Sequence, residues 1–303
     1  MVKYLFLAIV ALAFTISSCK QEDTGVTEDT VEELVYGRVV SVDEEASIER
    51  TEKTAAYLSK ELGVKVRIVK GSDYASIIEA MKTGKVDLAI TGAFSYTIAS
   101  SKAGAESLVT TAYAKTGELN YAGSMIFTSA KSDIYSMDQV IAHPEKYTIA
   151  FADPASTSGY LYPLAYLRSQ GIEPTEDMKQ TLFAGGHTAG IFSCLSQKVD
   201  LACTTSMSLK RLESRNRIEP GTYRVLWRTD SIPPSNIYVR ASLPKRIKDD
   251  LRKAFVELKD KDTVVMNLIK KTYRKDVVYV PVGDSIYQGM RKIVNKELGD
   301  FLK

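Results

Sequence analysis

From Leu34 to Ile90 the chain alternates short β-branched runs with helical stretches that stop at glycine. This rhythm restricts the folds open to it. Leu34 to Val40 is rich in β-formers, 45–62 carries a helical pattern ending at Gly63, and Val64 to Val69 alternates as a strand. A helix from about Tyr74 to Met81 stops near Gly84, and Val86 to Ile90 is a short buried strand. Such a series implies a parallel sheet with helices on its faces. A second series begins with a strand from Tyr147 to Phe151. A helix over Thr157 to Gln170 follows, stopped by Gly171 and kinked at Pro163. Thr188 to Ser196 is a further helix and Val199 to Cys203 a further strand.

Two series in one chain predict an α/β protein of two lobes, each a mainly parallel sheet flanked by helices. The β-rich segments 119–129 and 222–240 are the two crossovers between them. The first lobe is assigned to 34–121 and 237–303, the latter containing a largely helical tail from Pro244, and the second lobe to 122–236. Two lobes joined in this way form a hinged clamp. Ligands in such sheets bind beyond the carboxyl ends of the strands.

The first residues bear on location. Lys3 precedes an apolar run from Leu5 to Ile16, and Ile16-Ser17-Ser18-Cys19 follows. About a dozen apolar residues fall short of the roughly twenty that span a bilayer, so residues 1–18 read as a signal peptide. The end of this segment resembles a bacterial lipobox, which makes Cys19 the lipidated first residue of the mature protein. Residues 19–33, acidic and threonine-rich, lack the apolar side chains to form a core and read as a tether. With a formal charge of +3 on 303 residues, the chain has no electrostatic case for nucleic acid. Cys194 and Cys203 have no zinc-like spacing and are expected to be buried thiols. No metal or cofactor is expected.

The densest set of polar donors is Asp153-Pro154-Ala155-Ser156-Thr157-Ser158-Gly159, where a strand turns into a helix. The first N–H groups of a helix have no internal partner and carry the positive end of its dipole. One hydroxyl would suffice as an N-cap. Three in succession, Ser156, Thr157 and Ser158, make a neutral receptor for a compact anion. Tyr74 in Gly71-Ser72-Asp73-Tyr74 and Tyr96 in Gly92-Ala93-Phe94-Ser95-Tyr96 occupy strand-to-helix turns of the first lobe, where a phenol can donate to an oxyanion. His187 follows Gly185-Gly186, and an imidazolium there can donate to a dianion. A serine hydrolase using Ser156 and His187 is the rival reading, but Gly-x-Ser-x-Gly is missing and no acid is evident to orient the histidine.

These residues, together with Glu61-Leu62-Gly63-Val64-Lys65-Val66, Gly84-Lys85-Val86-Asp87-Leu88-Ala89, Val225-Leu226-Trp227 and Ile232-Pro233, resemble the phosphonate, phosphite and phosphate-binding proteins of ABC importers. The resemblance runs from Leu34 to about Gly283. It implies a type II periplasmic-binding-protein fold, a monomer that is not an enzyme, and delivery of ligand to a permease with its ATPase. A sensor subunit of the same fold is the alternative. It also implies that Tyr74, Tyr96, Ser156, Thr157, Ser158 and His187 hold the phosphorus oxyanion. Relatives that bind aminoalkylphosphonates place carboxylates where this chain has Met207 and Ser235. Met207 therefore favours phosphite or a small alkylphosphonate over an amino-substituted ligand, with phosphate less favoured.

Overall fold

The computed structural model describes residues 31–39 and 45–299. The signal peptide, Cys19 and all but the last residues of the tether lie outside them. No described helix is long and apolar enough to cross a membrane.

The strands are β1 (Glu33–Val39), β2 (Lys65–Gly71), β3 (Leu88–Thr91), β4 (Glu106–Tyr113), β5 (Ala122–Ser129), β6 (Thr148–Phe151), β7 (Gln180–Phe183), β8 (Leu201–Thr204), β9 (Tyr223–Ile232), β10 (Asn236–Val239) and β11 (Val277–Pro281). They form two sheets, ordered β11-β4-β10-β3-β1-β2 and β7-β6-β8-β5-β9. Both sheets are mixed, where mainly parallel ones are expected. In the first, β1 runs parallel to β2 and β3, while β10 and β11 enter antiparallel. In the second, β6 is parallel to β7 and β8, and β5 is antiparallel to β8 and β9. Of the antiparallel strands, β5 and β10 directly follow the two passages of the chain between sheets. A strand that enters from the other lobe has no crossover helix to reverse it.

β4, β7 and β11 are additions to the sequence reading. β7, Gln-Thr-Leu-Phe, opens on a polar residue and holds one β-branched side chain, and β11 interrupts the tail read as helical. The helices follow their apolar spacing. In Lys245–Lys261, the residues Ile247, Leu251, Ala254, Phe255 and Leu258 fall on one buried face. Tyr74–Lys82 is opened by a capping box in which the Asp73 carboxylate accepts the Ser76 N–H at 2.7 Å. It buries Ile77, Ile78 and Met81, and the chain leaves it through Gly84, whose φ of +74° suits a residue without Cβ.

Each sheet is packed on both faces. Lobe closure is built into one of these cores, because Ala155 and Leu161 from the second lobe pack among Phe94, Tyr96, Ile98 and Tyr287 of the first. The Arg168 guanidinium also reaches the Glu297 carbonyl between lobes.

Candidate functional site

Five helices start just beyond the carboxyl ends of parallel-series strands: Tyr74–Lys82 after β2, Ala93–Ala103 after β3, the turn Thr157–Leu161 after β6, His187–Leu195 after β7 and Ser206–Ser214 after β8. Helix N-termini carry partial positive charge and unsatisfied N–H groups, so this edge of the molecule favours anions.

A cavity of about 220 Å³ opens at this edge and receives Tyr74 from the first lobe and Ala152, Asp153, His187 and Thr188 from the second. Tyr74 and His187 thus line the same cavity. The Asp153 carboxylate accepts the Ala155 N–H at 2.7 Å. It also accepts the backbone N–H of Tyr74 from across the cleft, and burial raises its pKa.

The Ser156 and Thr157 hydroxyls take different roles, and Ser158 is held through its carbonyl. Ser156 Oγ accepts the Gly159 N–H at 3.0 Å as an N-cap and lies 3.5 Å from His187 Nε2. Thr157 Oγ1 accepts the N–H of Phe94 at 2.9 Å, so it caps a helix of the opposite lobe. Beside it, Ser95 Oγ donates to the Ala155 carbonyl at 2.7 Å. The Ser158 carbonyl accepts from Ser124 Oγ at 2.6 Å. All three residues are buried, and none of them is among the residues lining the cavity, where the sequence reading expects all three.

The expected α-helical start is a π-turn over Thr157–Leu161, followed by α-helix from Tyr162 to Ser169. The wider turn sends the Leu161 N–H to the Ser156 carbonyl at 3.1 Å. Gly159 is obligatory here. A Cβ on it would lie 2.4 Å from Ala152 Cβ and 3.0 Å from His187 Cε1.

His187 differs from the expected imidazolium. Burial, reinforced by the charge of Arg211, pushes its pKa down from the ordinary value to about 4. It is therefore neutral at pH 7 and has one N–H to donate. Its Nδ1 lies 3.1 Å from Thr204 Oγ1. A hydroxyl, rather than a carboxylate, occupies the orienting position, which leaves the hydrolase reading without its third member.

Two further expected site residues, Tyr96 and Met207, also lie outside this cavity. Tyr96 is 1% exposed and its phenol donates to Asp284 Oδ1 at 2.8 Å. Its ring packs between Tyr238 and Tyr287, with centroid distances of 5.4 and 4.8 Å. The fourth residue of its helix faces the lobe core, while Gly92 and Thr91 face the cavity. Met207 lines a neighbouring cavity with Asn120, Tyr121 and Lys210; that cavity meets the first at Ser235. Cys194 and Cys203 are free and buried.

Among the lining residues that escape the sequence reading are four arginines, Arg38 and Arg50 from the first lobe and Arg211 and Arg215 from the second. No motif surrounds them: Arg38 lies on β1, Arg50 and Arg211 lie on helices, and Arg215 caps the end of the helix that carries Arg211.

The chain matches the family model of ABC-transporter phosphonate periplasmic substrate-binding proteins over residues 37–279. The chain belongs to that family. This binding protein is 28% identical over 249 residues to a phosphate-import protein, PhnD, of Mycolicibacterium smegmatis, covering 78% of this chain and 77% of that one. It is 30% identical over 199 residues to the phosphonates-binding periplasmic protein of Escherichia coli, covering 66% of this chain and 58% of that one. Its fold is similar to that of PhnD1 from Prochlorococcus marinus, solved in complex with methylphosphonate. The TM-score is 0.76 at 18% identity, with 88% of this chain and 99% of that chain covered. The fold is thus the type II periplasmic-binding architecture, and the binding protein works outside the cytoplasm with a permease and ATPase. Families of this kind deliver solutes; they are not enzymes.

Proposed function

We propose that this binding protein captures the oxyanion head of a phosphorus compound in the cleft, between Tyr74 of one lobe and His187 of the other. The observation that carries this reading is the convergence of five helix starts on one edge, with Tyr74 and His187 lining a single cavity there. Tyr74 and the neutral His187 donate directly. Ser156 orients His187, and Thr157 and Ser158 build the wall behind them. Neutral donors suit a ligand that must be released, because a net hydrogen bond contributes only about 0.5–1.5 kcal/mol and charge-assisted ones about 1.5–3. The family match and the phosphate and phosphonate relatives support a phosphorus oxyanion over other anions. The protein acts as a monomer, held at the membrane by lipid on Cys19.

Calorimetry with phosphite, phosphate, methylphosphonate, 2-aminoethylphosphonate and sulfate tests the reading. One site per chain and preference for phosphorus oxyanions are expected. Preference for sulfate, or no binding of any phosphorus ligand, would overturn it.

A further inference from the structure

Resting on that oxyanion reading, we propose that Asp153 selects for a proton on the ligand: its carboxylate accepts the P–OH of a singly ionised phosphorus acid. Asp153 lines the cavity with Tyr74 and His187 and is 7% exposed. It is the one carboxylate among the described lining residues. An ionised carboxylate accepts hydrogen bonds and donates none. Toward an oxyanion that has lost every proton it is only repulsive. Toward one that keeps a proton on oxygen it gains a charge-assisted bond.

The side chain is fixed by its own turn. Asp153 Oδ1 accepts the Ala155 N–H at 2.7 Å, and the Asp153 carbonyl accepts the Ser156 N–H at 2.9 Å. From across the cleft the carboxylate also accepts the Tyr74 N–H, so both lobes hold it in the closed state. These two bonds use two of the about four acceptor positions of a carboxylate, which leaves lone pairs for a ligand.

Its surroundings suit a shared proton. Burial raises the proton affinity of Asp153, and Asp73, on the turn before Tyr74, adds like charge. That brings it nearer to a phosphoryl group, whose second pKa is about 6 in phosphate esters. Arg38, Arg50, Arg211 and Arg215 also line the cavity, and each has interactions within the protein. Arginine only donates, so these side chains do not register a ligand proton. His187 is neutral at pH 7.

The consequence is a choice among anions of one shape. Sulfate and alkanesulfonates carry no proton near neutral pH, whereas phosphite, phosphate and alkylphosphonates gain or lose one there. Singly ionised methylphosphonate and methanesulfonate have equal charge and nearly equal size, and they differ by one hydrogen. The substrate class is therefore a phosphorus oxyacid bound as its monoanion, with one P–OH directed at Asp153.

The test is calorimetry on the full mature chain with methylphosphonate and methanesulfonate. Near neutral pH, methylphosphonate should bind at least tenfold more tightly. Above its second pKa, titrations in buffers of different ionisation heat should show uptake of about one proton per ligand bound. Asp153→Asn keeps an oxygen for the Ala155 N–H but replaces an acceptor by a donor. It should shift the preference at least tenfold toward methanesulfonate. Equal affinity for the two ligands in the unmutated protein would overturn the inference and leave the oxyanion reading standing. Binding without proton uptake would do the same, as would equal losses for both ligands in a folded Asp153→Asn variant, since the carboxylate would then only hold the turn and the cleft. If that variant does not fold, the preference and the proton uptake of the unmutated protein decide. Absence of binding by methylphosphonate, phosphite and phosphate alike would remove the oxyanion reading itself.

Discussion

Thr157 Oγ1 accepts the backbone N–H of Phe94 at 2.9 Å, so a side chain of the second lobe caps the N-terminus of a helix in the first. Both residues are buried, and Ala155 receives Ser95 Oγ alongside. The hydroxyl run that reads as an anion receptor in sequence is also the latch of the closed cleft.

Replacing Thr157 by Val should leave the Phe94 N–H buried without an acceptor, at a cost of about 1–3 kcal/mol to the closed state. Affinity should fall roughly tenfold for every ligand alike, with little loss of stability in the open, unliganded protein. Calorimetry with three ligands and a thermal melt check this. A loss confined to one ligand would argue against a latch.

Gly92 should be sensitive for the same reason. Its φ of −71° suits any residue, yet a Cβ there would lie 2.6 Å from Thr157 Oγ1. Gly92→Ala should weaken ligand binding without strain inside its own lobe. In the double variant with Thr157→Ala, Gly92→Ala should add little further loss, because the clashing oxygen is gone.

The depressed pKa of His187, about 4, links stability to pH. In the unfolded chain the ordinary value of about 6.5 applies, so between these values the unfolded state binds more protons. The histidine's contribution is therefore fully present above about pH 6.5 and is lost as pH falls toward 4. His187→Gln should flatten that part of the stability profile of the unliganded protein. A ring signal in NMR titrating near 6.5 would contradict the buried, neutral assignment.

Tyr96→Phe separates packing from recognition. It removes the bond to Asp284, which keeps Arg291 Nη2 at 2.8 Å as a partner. A stability loss of about 1 kcal/mol, read as a drop of a few degrees in Tm, is expected with affinity unchanged within twofold. A tenfold affinity loss would return Tyr96 to the binding site.

Much of the fold is legible along the chain because its signals are local. The helices at 45–62 and Tyr74–Lys82 follow apolar spacing and glycine stops, and the strands β2, β3 and β6 are short β-branched runs. β7 is not legible, since Gln180 to Phe183 carries a single β-branched residue and no apolar run, and neither is the antiparallel entry of β10, which depends on where the returning chain docks. The π-turn at Thr157–Leu161 is equally silent in sequence. It arises where Gly159 is pressed against Ala152 and His187.

By itself the sequence determined the order of elements, the glycines at their ends and the hydroxyl-rich turn after β6, all of which depend on a few adjacent residues. It also carried the family resemblance through those same turns. Which side chains share the cleft was decided only by the tertiary structure. Tyr96 is turned into the core by the packing of Tyr238 and Tyr287, while Arg38, Arg50, Arg211 and Arg215, far apart in the chain, converge on one cavity. The reason is physical: local spacing sets the direction of a side chain within its element, but only the docking of two sheets sets what that direction faces.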